Sequence, residues 1–341
     1  MDHNLPDAYT VRAAIALAVR APSVHNSQPW AWRFTGRTVE LRADPHRQLR
    51  NADPDGRDLL VSCGCALHHF TVAAAAMGWA AQVHRLPDPA EPELLARVTL
   101  VPHETRDGDI ALAAAIPRRR SDRRRFADRP LLVRDEVYLR KSAADQDAAL
   151  QIVDDAPRLS ALTKAAAEAG GLHRADPGYT IELAAWSGRR YSPDGVPAQN
   201  AVSARTVGQE LRVRDFADAG LVDGEGHDGA VLTVLSTAGD TPLDRLRAGE
   251  AASAVLLTAT RLNLVSCVYT EPFELTSTRA LVRDCVLAGR GEPQLVVRVG
   301  YLPEGAAPLP ATPRRPLGEV VHPPAHPYGA GLPVPAQLRG R

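Results

Sequence analysis

Residues 59–84, LLVSCGCALHHFTVAAAAMGWAAQVH, contain no Asp, Glu, Lys or Arg. A run this long without a formal charge must leave water, either for a bilayer or for the space between packed protein layers. Its alanines, together with His68, His69, Gln82 and His84, favour a buried helix at a protein interface over a lipid-facing one. Gly78 is a natural stop, so a helix is expected from about Arg57 to Met77. Such a helix needs a second apolar surface of similar size to cover it.

The chain supplies one. Shifted by 185 positions, Gly64 meets Gly249, Ala66 meets Ala251, Ala74 meets Ala259 and Met77 meets Leu262, without a gap. Shifted by 201, ARVTLVP (96–102) meets VRVGYLP (297–303). A helix followed by a strand at both places predicts a duplicated unit. The expected division is a first half over 1–115 and a second over 116–341. The 341 residues carry 40 Lys+Arg against 40 Asp+Glu and are 45% hydrophobic. Wholly disordered and fibrous chains are excluded, and nothing draws the chain globally to nucleic acid or acidic membranes. Four cysteines (Cys63, Cys65, Cys267 and Cys285) are too few for a disulfide framework, which makes a reducing cytoplasm the expectation.

Periodicity and turn chemistry place further elements. A helix over about Ala8 to Arg20 has Asp7 as its cap and ends before Pro22. Two strands surround Gly36. Strands are expected near 95–101, 149–153, 230–236 and 294–302, and helices near 109–116, 157–170 and 243–263. Residues 188–229 lack strong periodicity, with one helix possible near 203–219. The tail from 302 holds 10 of the 28 prolines and should run extended over the surface.

Three motifs carry chemistry. In PSVHNSQPW (22–30) two prolines fix a stretch packed with Ser23, His25, Asn26, Ser27 and Gln28. Such a loop suits the edge of a flat heterocycle, or it is a rigid turn. RRRSDRRRF (118–126) offers guanidiniums and a hydroxyl to a phosphate, or forms a solvated or nucleic-acid-facing charge run. It lacks interleaved aromatics, which weakens the nucleic-acid reading. PRRPLGEVV (313–321) could fold back and close a phosphate site. Two other matches carry little. Gly224–Gly229 fits G-x-G-x-x-G but precedes a strand, and Cys63-x-Cys65 with His68 and His69 fits core packing better than zinc.

These segments resemble a known family. RAPSVHNSQPWAWRF resembles the P-S-x-x-N-x-Q-P-W segment of the nitroreductase-like flavoproteins, and RRRSDRRRF their R-R-S-x-R-x-F phosphate motif with one residue inserted. Residues 248–272 resemble the segment leading to the flavin's reactive edge. Together with DPDGRDLLVSCGCALHH, the combination resembles the Acg-like branch. The resemblance implies an α+β fold, a mixed sheet covered by helices, with FMN at an interface. Since each motif occurs once, it implies two half-domains fused as an internal pseudo-dimer with one FMN site, either monomeric or paired as a homodimer. Arg120, Ser121 and Arg123 would hold the phosphate, with Arg315 closing from the tail. Ser23, Asn26 and Gln28 would contact the cofactor from the loop, and Tyr269, Thr270 and Glu271 would approach the flavin's N5. NAD(P)H would be the electron donor and a nitro- or quinone-like small molecule the acceptor, with no nucleic-acid or membrane partner. The 188–229 stretch could form a lid, and the alternative is a flavin-sequestering protein with little turnover.

Overall fold

The computed structural model describes residues 5–189, 192–203, 211, 214–224 and 226–323. The first half opens with α1 (Ala8–Ala18), where the Asp7 carboxylate accepts from the Thr10 N–H at 2.6 Å. β1 (Trp30–Thr35) and β2 (Thr38–Ala43) turn about Gly36 at φ 56°. α2 (Arg57–Ala76), β3 (Trp79–Arg85), β4 (Leu94–Pro102) and α3 (Asp107–Ala113) complete it. The second half runs α4 (Val133–Ala144), β5 (Ala149–Ile152), α5 (Ala156–Ala175), α6 (Pro177–Ala185) and β6 (Val231–Thr237). It continues with α7 (Pro242–Arg261), β7 (Val265–Tyr269), α8 (Glu271–Glu274), α9 (Thr276–Cys285), β8 (Glu292–Gly300) and α10 (Leu317–Val320).

The two halves are copies of one plan. Their four-stranded sheets have the orders β1-β2-β4-β3 and β5-β6-β8-β7, with every neighbouring pair antiparallel. The tail crosses back to the first half. Val321 makes a parallel bridge to Trp32 on edge strand β1, and the His322 N–H donates to the Trp32 carbonyl at 2.8 Å, so that sheet becomes mixed.

α2 and α7 form the seam and pack on each other more extensively than any other pair of elements. At their crossing a Cβ on Gly64 would lie 2.0 Å from the Leu246 carbonyl oxygen, and one on Gly249 2.0 Å from that of Val61. Only glycine permits this approach, and the two glycines are the pair that the 185-residue shift superposes. Each helix starts on a built cap. Buried Asp53 accepts from the N–H groups of Asp58 and Leu59 at 3.0 and 2.8 Å, and Thr241 forms a capping box with Asp244. α2 is long and apolar enough to cross a membrane, and 78% of its apolar window is buried in the fold.

β3, α4, α6, β7, α8 and α9 lie where the sequence reading placed no element. β7 is five residues long and β3 is partly exposed, so neither carries a clean alternation. Of the helix expected near 203–219, residues 204–210 and 212–213 lie outside the described residues, and 214–216 have no regular structure.

Candidate active site between the two halves

The PSVHNSQPW loop turns on three residues with left-handed backbone: His25 (φ 45°), Asn26 (55°) and Gln28 (52°). Such conformations cost on the order of 1–3 kcal/mol each and persist only where the surroundings impose them. Here the Ser62 hydroxyl on α2 accepts from the Val24 N–H, and Ser23 Oγ accepts from the Gln28 N–H, both at 3.0 Å. The turns split the side chains into two sets. Ser23 and His25 line a cavity between the halves. Asn26 donates instead to the carbonyls of Gly195 (3.1 Å) and Pro313 (3.3 Å). Gln28 donates to the Pro193 carbonyl at 2.8 Å and accepts from the Arg315 N–H at 2.9 Å.

The cavity is open to solvent on one side, with about 890 Å³ of empty space reaching out through its mouth. α2 contributes Asp58, Val61, Ser62 and Cys65. The second half contributes Ser121, Arg123, the 267–270 segment, Leu295 and Arg298. Leu211, Arg214 and Phe216, all within 188–229, complete the lining. His25 is buried edge-on to Phe216, with centroids 5.5 Å apart, and neither of its ring nitrogens has a hydrogen-bond partner among the described residues. Burial, then Arg214 and Arg123, push its pKa well below the usual imidazole value, so it presents one donor and one acceptor as a neutral ring.

Four guanidiniums gather beside this cavity. Arg119 Nη1 stands 3.5 Å from the Oγ of cavity-lining Ser121. Arg314 donates to the carbonyls of Val19, Arg20 and Ala21 at 3.0 Å each. Burial, then Arg119, Arg20 and Arg120, hold Arg314 down at about 9; burial first, with Arg120 and Arg20 adding, holds Arg119 at about 10. None of Arg20, Arg119, Arg120 and Arg314 pairs with a carboxylate among the described residues, and the Nε of Arg20 and of Arg119 has no partner there. Backbone carbonyls take the donors of Arg314 and of Arg120, so an anion here would be met by Arg20 and Arg119.

A second polar cluster surrounds Arg214. It pairs with Glu274 at 2.5 Å and donates to the Tyr179 hydroxyl. The Tyr269 hydroxyl donates to Glu271 at 2.5 Å, and His173 lies 3.4 Å from the same carboxylate. Burial pushes Glu274 up to about 7 against the pull of Arg214. For Glu271 burial is outweighed by Arg214, His173 and Tyr269, which bring it down to about 2.

Comparison with known proteins identifies the scaffold. A Mycobacterium tuberculosis protein named "Putative NAD(P)H nitroreductase Rv3131" is 46% identical over 325 residues, covering 94% of this chain and 93% of the relative. A second from that organism, "Putative NAD(P)H nitroreductase acg", is 39% identical over 318 residues, covering 92% and 95%. The chain belongs to this nitroreductase family. No family model matches it. Among solved structures, an FMN and NADPH-dependent nitroreductase, NfnB, from a strain given as sphigopyxis sp. HMH overlaps 62% of this chain and 97% of its own. That overlap has 19% identity and a TM-score of 0.40, too loose to carry an argument.

Of the residues that the nitroreductase resemblance singled out, the structure brings Ser23, Ser121, Arg123, Tyr269 and Thr270 together around the cavity. Asn26, Gln28, Arg120, Glu271 and Arg315 stand outside its lining. Arg120 holds the tail through the Leu309 carbonyl at 3.0 Å, and Arg315 reaches the Glu319 carbonyl at 3.1 Å. Glu271 is enclosed by Tyr269 and His173. The sequence reading noted His25 in the loop, Arg119 in the arginine run and Arg314 in the tail motif but gave none of them a site role, and it passed over Asp58 and Arg214. Arg119 and Arg314 each lie one position before an arginine chosen from the motif, so the signal was present with its register off by one. Cys63 and the two histidines of α2 are engaged elsewhere. Cys63 Sγ donates to the Pro29 carbonyl at 3.2 Å, and His68 and His69 both meet Ser253 Oγ at 2.7 Å.

Proposed function

We propose that this chain is an FMN-dependent NAD(P)H oxidoreductase that delivers reducing equivalents to nitro- or quinone-like acceptors. The observation that carries the reading is the joint wall. One cavity is lined by both halves, and among the described residues it has an arginine cluster without carboxylate partners beside it and a buried imidazole whose two nitrogens have no partner. These features fit FMN: Arg119 and Arg123, with Ser121, would hold its phosphate. Ser23 and His25 would face its polar edges, and Cys65, Val61 and Leu295 offer apolar surface to a flat ring. When bound, the cofactor supplies the hydride chemistry. The protein's part is to orient the reactants, exclude water and place charge. The names of the relatives support the nicotinamide donor.

A second reading, flavin sequestration, draws on the insertion. Leu211, Arg214 and Phe216 narrow the same cavity, and Arg123 stacks on Phe216 at 4.8 Å while donating to the Asn200 carbonyl. A closed cover would keep bulky acceptors and nicotinamide out.

The test is a flavin absorbance spectrum of the purified protein followed by stopped-flow bleaching with NADH and NADPH. Bound yellow cofactor that bleaches at turnover rates supports the oxidoreductase. Bound cofactor that does not bleach supports sequestration. A colourless protein that fails to take up FMN overturns both.

A further inference from the structure

We propose that Asp58, Thr270 and Glu274 share one proton and pass it from a surface crevice into the active-site cavity. The inference rests on the oxidoreductase reading for the use of that proton, but not for its existence.

The argument begins with one hydroxyl. Thr270 Oγ1 lies 2.6 Å from Asp58 Oδ2 and 3.0 Å from Glu274 Oε1. A threonine hydroxyl has a single hydrogen and can donate to only one of them. The other contact is a hydrogen bond only if that carboxyl carries a proton and donates to the threonine oxygen. Both carboxyls are buried, so two bare charges facing one hydroxyl would be costly. Arg214, 2.5 Å from Glu274, draws the negative charge there, while burial raises both carboxyls, so the two share the proton through Thr270. One arrangement places the proton on Asp58. The chain then runs from the Asp58 hydroxyl to Thr270, from the Thr270 hydroxyl to Glu274, and ends on Arg214.

Placement gives the trio a direction. Asp58 and Thr270 line the large cavity. Asp58 and Glu274 also border a narrow surface crevice, with no room for a water inside it, shared with Asp53, Arg57 and the exposed residues Pro54 and Asp55. The trio therefore stands between the crevice and the cavity. Inside the cavity, His25 presents ring nitrogens with no partner among the described residues, so polar chemistry belongs on that side. The insertion residues that narrow the cavity make a separate proton route useful.

The step balances. A two-electron reduction of a quinone-like acceptor takes one hydride, which originates on the reduced nicotinamide, and one proton. The Asp58 O–H bond breaks and an O–H bond forms on the acceptor oxygen that gained the electron pair. Glu274 and Thr270 then return a proton to Asp58, taken from solvent at the mouth of the crevice beside Pro54 and Asp55. Groups that face the trio and set its titration are Asp53 and Arg57 from the α2 turn, Arg214 from the insertion, and Glu271 of α8. Tyr179 of α6, Tyr269 of β7 and His173 of α5 connect through Arg214 and Glu271. Asp58 and Glu274 are both raised, burial being the main cause.

Infrared spectroscopy of the purified holoprotein across pH tests the proton itself. The carbonyl stretch of a protonated carboxyl is expected at neutral pH and should vanish in Asp58→Asn and in Glu274→Gln. Half-reactions test its use. Asp58→Asn should slow reoxidation of the reduced flavin by a quinone on the order of 100-fold, with far less effect on bleaching by NAD(P)H. The fall in wild-type reoxidation rate as pH rises through the neutral range should disappear with it. Thr270→Val should reproduce the reoxidation defect and Thr270→Ser should restore it, which guards against variants that merely misfold. A wild-type spectrum without the band overturns the shared proton. Equal slowing of both half-reactions overturns the relay. A colourless protein that keeps the band retires the flavin reading and leaves the shared proton standing.

Discussion

Arg119 and Arg314 lie within reach of each other's charge, and both are held below the usual guanidinium range by burial and by their neighbours. Arg314 spends its donors on the carbonyls of Val19, Arg20, Ala21, Thr312 and Pro313, whereas the Nε of Arg119 has no partner among the described residues. Arg119→Ala should therefore leave the melting temperature of the apoprotein nearly unchanged, yet weaken FMN about 10- to 100-fold. Riboflavin, which lacks the phosphate, should lose far less. Thermal melts with each ligand check this, and equal losses for both would remove Arg119 from the phosphate site. Glu271 gives a second residue-scale expectation. Its pKa falls to about 2 in the folded chain, against 4.5 unperturbed. The folded state thus binds fewer protons than the unfolded one between these values, and stability rises with pH across that window. Denaturant unfolding between pH 2 and 5 should show this limb, and Tyr269→Phe should shift it to higher pH by removing one donor to the carboxylate. The sequence made the loop and the arginine runs visible, but not the roles inside them. Asn26 and Gln28 turn toward the insertion and the tail because their φ angles are positive, and nothing in PSVHNSQPW announces which residues take that backbone. Nor does a row of arginines say which of two neighbours points inward. That was fixed by the carbonyls of Val19, Arg20 and Ala21, almost three hundred residues from Arg314.

The seam between α2 and α7 was the most legible element, because it needs two things that leave a mark in sequence. It needs freedom from charge over a whole helix, and it needs glycine where the backbones touch. The duplication places Gly64 and Gly249 at the same point of each helix, so a pseudo-twofold arrangement brings them together. His68 and Ser253, related by the same offset, likewise meet across the seam at 2.7 Å. A methyl group at Gly249 would face the backbone of α2, which has no flexible end to move aside. Gly249→Ala should destabilise by about 3 kcal/mol or more, at the upper end of overpacking costs. A control, Gly108→Ala, which has open space around it, should gain up to about 1 kcal/mol, the scale of helix propensity. Urea unfolding of both variants makes the comparison, and equal stabilities would mean that the seam relaxes. Short elements escaped the sequence reading for the opposite reason. β7 and α8 take their shape from the strand beside them and from buried Glu271 and Phe273, which are tertiary effects with no local period.

At the scale of the molecule, the duplication explains why, among the described residues, the position opposite the cavity is filled. The 185-residue offset carries Cys65 onto Glu250 and Arg85 onto Thr270. Where the cavity has a thiol and a hydroxyl, the opposite position has Arg85 and buried Glu250 joined by two hydrogen bonds at 2.7 and 2.9 Å. An ion pair fills the place where a second ligand would sit, so FMN titration should saturate near one equivalent per chain. The insertion borders the cavity. Among the described residues it is latched to the first half by Arg47, which pairs with Asp194 at 2.5 Å and lies over Trp186, while Gln28 and Asn26 hold the carbonyls of Pro193 and Gly195. Tyr191 of the insertion lies outside the described residues. Phe216, at the far end of the insertion, meets His25 within the cavity. Cutting the latch without touching the cavity wall separates cover from binding site. Asp194→Ala removes the Arg47 ion pair and the Ser192 contact, a loss on the order of 1–3 kcal/mol for a partly buried charged pair. If the insertion limits entry, bleaching of bound flavin by NAD(P)H should accelerate by about 5- to 100-fold, the population shift that such an energy allows. The FMN dissociation constant should move much less, because the phosphate cluster is untouched. Stopped-flow absorbance on Asp194→Ala, with Arg47→Ala as its partner, reads the effect. An unchanged bleaching rate with FMN still bound would mean that nicotinamide reaches the flavin by a path the insertion does not control.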